Sequence, residues 1–239
     1  MSLSPLTGWL GRFSMLVGTS GLERLRAARV AVFGLGGVGG AAAEALVRSG
    51  VGALTVVDHD TVAPSNLNRQ LLATVSAVGL PKCEAFARRA LDINPALRPD
   101  CRPVFADAGN IAGLLDPAPD YIIDAIDTVS AKVALAVYAA EHNLPIIACM
   151  GAGSRLDPSK LQFADLSKTH TCPLARVMRR ELAARGVKHL DVLFSDEPPI
   201  KAALDADGRH VPGSCAFVPP VAGYMLAGFV VRKILQMEN

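Results

Sequence analysis

Apolar residues fall along this chain in two rhythms: short unbroken runs, and longer stretches in which they recur three and four positions apart. The unbroken runs at 29–33, 53–58, 101–105, 121–127 and 145–150 predict strands buried on both faces. Between them the helical spacing predicts a short helix over 22–28 and an alanine-rich one over 39–49, stopped by Gly50. Two more helices follow, one over 81–94 with Pro81 at its first position and one over 129–142. This alternation predicts an α/β fold, a Rossmann-like doubly wound and mostly parallel sheet with helices on both faces. Beyond Gly151 the rhythm loosens into an elaborated C-terminal half. Strands are expected at 162–165 and 191–194, helices at 174–185 and 220–236, and a polar crossover at 197–212. No repeat or linker interrupts the chain, so 1–239 is expected to form one domain, with a core over 1–150 and the elaboration over 151–239.

Composition narrows the class. Hydrophobic residues make up 51% and charged residues 19%, which excludes a disordered chain. The net charge is +2, from 24 basic and 22 acidic residues, so any contact with nucleic acid has to come from a local patch. The five cysteines are scattered without a Cys-x-x-Cys, which argues against a disulfide framework and a structural zinc site and fits a reducing cytoplasm. The first residues lack the basic-then-apolar pattern of a secretory signal. The longest apolar stretch, 215–231, is broken by Pro219 and Pro220 and falls short of the about 20 residues of a membrane span, so no membrane partner is expected.

Gly34-Leu35-Gly36-Gly37-Val38-Gly39 matches G-x-G-x-x-G between an expected strand and an expected helix. Such glycines let the backbone approach a phosphate, and the helix N-terminus adds free N–H groups and the positive end of its dipole. Asp58 ends the next strand, 19 residues after Gly39, where an acid accepts hydrogen bonds from a ribose. These features alone admit NAD, FAD or ATP. The loop that follows separates them, because it carries Asp60, then Asn66 and Arg69, and then Lys82. Attack of a carboxylate on an α-phosphate builds charge on the phosphate oxygens and on departing pyrophosphate, and fixed cations stabilise it. Asp127, at the end of another strand, is placed to hold Mg²⁺, which takes oxygen ligands.

GLGGVG, DHDTVAPSNLNRQ, the Lys of Pro81-Lys82 and DAIDT together resemble the ThiF- and MoeB-like adenylating domain of ubiquitin-activating enzymes and sulfur-carrier activators. The resemblance implies ATP with Mg²⁺, an acyl-adenylate and a homodimer. Carried onto this chain, it puts Gly34, Gly36, Gly37 and Gly39 at the phosphates and Asp58 and Asp60 at the nucleotide. Asn66, Arg69 and Lys82 fall on the phosphates, and Asp127 on the metal. Arg69, Lys82 and Asp127 are the implied catalytic set.

The second half, GAGSRLDPSKLQFADLSKTHTCPLARVMRREL, is similar to one branch of that superfamily, the tRNA threonylcarbamoyladenosine dehydratases. The matching positions are Asp157, Pro158, Asp165, Leu166, Lys168, Thr169, Pro173, Leu174 and Ala175. That branch implies ATP-dependent cyclising dehydration of threonylcarbamoyladenosine in tRNA, with release of AMP and pyrophosphate. The alternative is an adenylating activator of a ubiquitin-like or sulfur-carrier protein C-terminus, with a sulfur-transfer or carrier protein as partner. The zinc cysteines of the carrier activators are missing here. Arg12 stands alone where many members carry a second arginine that reaches the partner's nucleotide. Cys172 replaces an expected Asp, and Cys215 lies near the cysteine of some members; both read as small buried hydrophobes. Arg176, Arg179, Arg180 and Arg185, with Lys188, form a candidate tRNA-binding patch, in which Arg176 and Arg180 share a helix face.

Overall fold

The run RVAVF becomes strand β1 (Arg29–Phe33), with every residue but the first buried. Its neighbours are β2 (Ala53–Val57), buried throughout, and, across the sheet, the Tyr121–Asp124 strand. The computed structural model describes residues 8–201 and 212–237. The remaining strands are β3 (Arg98–Arg102), β4 (Tyr121–Asp124), β5 (Ile146–Cys149), β6 (Leu161–Asp165) and β7 (Asp191–Ser195). They form one seven-stranded sheet in the order β3-β2-β1-β4-β5-β7-β6. All neighbours are parallel except β6, which runs antiparallel to β7 at the edge.

Side chains alternate across β1 as the pleat requires. Val30 and Val32 pack into one core with α2 (Gly39–Arg48), α3 (Lys82–Ile93) and α7 (Val218–Ile234). Ala31 and Phe33 pack into the opposite one, with the single-turn α4 (Ile111–Leu114) and α5 (Val129–Glu141). A third cluster joins α5, α6 (Pro173–Ala183) and the β5–β7 end of the sheet. Burial of a side chain such as Phe33 or Leu135 contributes about 1.5–3 kcal/mol.

Two expectations need correction. Strand β3 lies at Arg98–Arg102 rather than 101–105, because the parallel register Ala53↔Arg98 to Val57↔Arg102 sets its place. It is an edge strand with no fully buried residue, so its polar sequence carries no apolar signal. The expected helix over 22–28 is the end of α1 (Gly11–Ala27), which is broken at Gly18. The expected crossover over 197–212 lies largely outside the described residues. Among those described, no helix is long and apolar enough to cross a membrane.

The chain leaves β1 for β2 and β3 on one side, then crosses back to β4 on the other. That reversal opens a crevice at the carboxyl ends of β1 and β4, where open α/β sheets bind ligands.

Candidate active site

A cleft of about 680 Å³ occupies that crevice. Gly34, Gly36 and Gly37 form one wall. Gly34 turns with φ +87°, and a Cβ there would stand 2.7 Å from the Ala125 carbonyl oxygen. At Gly39 a Cβ would come within 1.7 Å of the Gly34 carbonyl oxygen, so only glycine lets the turn fold back onto the start of α2. Gly39 itself does not line the cleft; it permits the turn that does. The N–H groups of Gly36 and Gly37 have no acceptor among the described residues. With the N-terminus of α2 behind them they make a cradle suited to phosphate.

Asp58 latches this turn. Its Oδ2 accepts the Leu35 N–H at 2.6 Å and its Oδ1 the Asp60 N–H at 2.8 Å. Lys82, buried at the start of α3, donates from Nζ to Asp60 Oδ2 at 2.7 Å and stands 3.7 Å from Asp58 Oδ2. Burial works against ionisation of Asp60, but the hydrogen bond and charge of Lys82, helped by His59, outweigh it and hold the carboxyl below its usual range. Asp58, His59 and Asp60 bring potential metal-ligand atoms within 4.8 Å of one another. Their carboxylates already serve backbone N–H groups and Lys82, so the cluster suits an ammonium better than a divalent ion.

Asn66 caps its own turn, accepting the Ala63 N–H at 3.0 Å. Arg69 donates to the Ser65 carbonyl at 2.8 Å and to Asn68 Oδ1 at 2.9 Å, and lines the cleft beside Gly37 and Lys82. Asp127 follows β4 as an exposed carboxylate lining the same cleft, touched by Thr128 Oγ1 at 3.4 Å and free of ion pairs among the described residues. An open carboxylate in the same cleft as a phosphate cradle fits Mg²⁺, which commonly takes one or two protein carboxylates and completes its shell with phosphate oxygens and water.

The family model described as "ThiF family" matches residues 11–239. The chain belongs to the ThiF family. It is 41% identical over 238 residues to a tRNA threonylcarbamoyladenosine dehydratase of Bacillus subtilis (strain 168), covering 94% of each protein. It is 38% identical over 208 residues to the Escherichia coli (strain K12) protein of the same name, covering 82% of this chain and 78% of that one. The structure of E. coli tRNA N6-threonylcarbamoyladenosine dehydratase in complex with ATP superposes with a TM-score of 0.88 at 34% identity, over 95% of this chain and 93% of that one.

In this ThiF-family chain the arginines after Pro173 lie outside the cleft wall. Arg176 and Arg180 are exposed on α6. Arg180 and Arg185 both pair with Glu181, at 2.9 and 3.0 Å. Arg179 departs from the expected open face. It is half-buried, and its Nη1 donates to the Thr169 carbonyl at 2.7 Å and to Thr169 Oγ1, binding the 166–169 turn to α6. Arg12 is exposed on α1 and does not line the cleft.

Of the cysteines, Cys149 and Cys172 line the cleft, whereas Cys215 donates to the Arg155 carbonyl at 3.5 Å. Burial pushes the Cys149 thiol up to about 12, so it stays protonated near neutral pH.

Sequence reasoning passed over two features of this ThiF-family site. Asp124, fully buried at the end of β4, pairs with Lys132 of α5 at 2.8 Å, and neither side chain touches solvent. Lys132 is the one charge between Val129 and Ala140 in an otherwise apolar helix, and that isolation was the available signal. Arg155, 3% exposed, lines the cleft in the loop after β5; nothing in its sequence context marks it.

Proposed function

We propose that this protein catalyses the ATP-dependent cyclising dehydration of threonylcarbamoyladenosine in tRNA. The observation that carries the reading is the phosphate cradle faced by Arg69, Lys82 and Asp127, in a chain 41% identical over 94% of its length to a protein named for that reaction. The Gly36 and Gly37 N–H groups and the N-terminus of α2 receive the phosphates, and Asp58 has acceptor capacity left for a ribose hydroxyl. Arg69 and Lys82 hold the charge that builds as the substrate carboxylate oxygen bonds to the α-phosphorus and the bond to pyrophosphate breaks. Mg²⁺, held by Asp127, would supply further charge neutralisation on the phosphates.

The carbamoyl part of the same side chain then attacks the activated carbonyl and loses a proton. AMP leaves with one former carboxylate oxygen, and the base has lost one water. The attacking group is already tethered, so no protein thiol is required. A tRNA substrate goes with a cytoplasmic location, and the family with a homodimer. The exposed pair Arg176 and Arg180, together with Arg185, are assigned to tRNA phosphates.

The test is incubation with ATP, Mg²⁺ and tRNA carrying the modified base, followed by mass measurement of the nucleosides. An ATP-dependent loss of one water is the expected result. An unchanged mass, from protein that binds ATP, would overturn the reading; pyrophosphate exchange driven by a carrier-protein tail would then point to a carrier activator. For the patch, the double variant Arg176→Glu/Arg180→Glu is expected to weaken tRNA binding and lower the salt slope of that binding by about two, with ATP affinity unchanged. A filter-binding salt series reads both, and an unaltered slope removes the patch.

A further inference from the structure

Among the described residues Arg155 is a buried cation with no acid paired to it. The loop that carries it is fixed from both sides. Ser154 N–H donates to the Gly213 carbonyl at 2.7 Å, and the Ser154 carbonyl accepts the Ile200 N–H at 2.9 Å. Glu197, the acid that acts on Arg155 through its charge, forms no ion pair with it. The Glu197 carboxylate instead accepts the N–H groups of Leu156, at 3.1 Å, and Asp157, at 2.9 Å.

A guanidinium has five N–H donors. Among the described residues Arg155 makes one hydrogen bond, from Nη1 to its neighbour's Ser154 carbonyl at 3.3 Å, and its buried Nε has no partner at all. Desolvation pulls its pKa below the ordinary arginine value. Stability does not account for so costly an unpaired group, because replacing a buried charge with a well-packed hydrophobic residue is often neutral or stabilising.

Arg155 lines the same cleft as the phosphate cradle. The cradle already has Arg69 and Lys82 for the phosphates. Arg155 stands instead among Gly151–Ser154, Cys172 and Pro212–Ser214, on the part of the wall that the glycine turn does not supply. The reaction brings two anions into this cleft, the triphosphate and the carboxylate that attacks it. Planar, forked and permanently charged, a guanidinium matches a carboxylate with two parallel hydrogen bonds.

We propose that Arg155 binds the carboxylate of the substrate side chain and holds it for attack on the α-phosphate. The assignment rests on the dehydration reading above. It makes Arg155 the residue that selects an acid over its uncharged analogue. Formation of the acyl-phosphate bond removes the negative charge it holds, so the grip loosens as the carbonyl becomes open to ring closure.

The test compares wild type with Arg155→Met and Arg155→Lys. Each is loaded with a non-hydrolysable ATP analogue and titrated with threonylcarbamoyladenosine nucleoside and with its carboxamide. Wild type is expected to prefer the acid by about tenfold to a hundredfold. Arg155→Met should bind both weakly and equally, Arg155→Lys should recover part of the preference, and the ATP analogue should bind all three alike. KM for modified tRNA should rise in Arg155→Met, and its thermal midpoint should hold or increase, which a merely structural arginine would not give. A preserved preference in Arg155→Met overturns the assignment, as does weakened ATP-analogue binding with the preference intact. Wild-type turnover alongside either result leaves the dehydration reading standing, and absence of wild-type turnover brings down both.

Discussion

Lys82→Ala is expected to slow pyrophosphate release on modified tRNA by about 10²–10³-fold while leaving the fold in place. The two halves of that expectation have separate causes. Lys82 is 4% exposed and its ammonium faces the cleft beside Asp58 and Asp60, so its charge acts in a site shielded from water. There a fixed cation is worth far more to a developing phosphate charge than it would be in bulk solvent. The structural cost is small, because of the two carboxylates left behind Asp60 is about half exposed and can turn to water, while buried Asp58 keeps the Leu35 and Asp60 N–H groups. The backbone link also survives, since the Lys82 N–H donates to the Asp60 carbonyl at 2.9 Å whatever the side chain.

Acid sensitivity gives a second readout. In the wild type the depressed Asp60 carboxyl contributes stability above the ordinary carboxylate range and loses it as pH falls through its folded value. The variant should lack that acid-side loss. Coupled pyrophosphate detection and thermal melts at several pH values check both; turnover at the wild-type rate would remove Lys82 from the reaction.

The largest effect on stability is expected from Lys132→Met. Lys132 and Asp124 form an ion pair closed to solvent, and removing one partner of such a pair costs about 3–5 kcal/mol. Burial already raises the Asp124 carboxyl above its ordinary value, opposed by the charge and hydrogen bond of Lys132 and by the Ile126 N–H. Without Lys132 the folded-state value climbs further, while the unfolded value stays ordinary. A group raised in the folded state supports folding below its unfolded pKa and loses that support as pH rises through the folded one. The deficit against wild type should therefore be smallest in acid and widen from about pH 4 upward. Urea unfolding across that range measures it. Asp124→Leu/Lys132→Met should recover most of the loss, since no charge is left stranded. A pH-independent deficit, or a double variant as weak as the single, would show that shape rather than charge sets the cost.

What could be read in advance follows from where each signal lives. Strands β1, β2 and β4 are buried on both faces, so their apolar runs carried the prediction; β3 lies on the rim, and its register comes from β2 instead. The apolar pair at 104 and 105 that drew the strand assignment lines the cleft as Val104 and Phe105. Gly34, Gly36, Gly37, Asp58, Asp60, Asn66, Arg69, Lys82 and Asp127 all stand on the cleft wall, because strand ends and the turns after them converge at the reversal of strand order. Arg179 entered the candidate patch as one of a cluster of arginines, and clustering cannot tell a side chain bonded to the 166–169 turn from one facing water. Arg155 was invisible for the converse reason, since the loop that carries it is held at Ser154 by Gly213 and Ile200, far along the chain.

Helix α7 lies against α2, with Gly223 so near the Val38 carbonyl that a Cβ would come within 2.2 Å, and Pro219 closes the cleft beside Gly37. Translation delivers the glycine turn early and this covering helix after every other described element. A chain still attached to the ribosome thus carries a complete phosphate motif on a helix whose outer face is bare. Pro219 arrives with α7, so the wall it adds beside Gly37 is the last part of the cleft to form among the described elements.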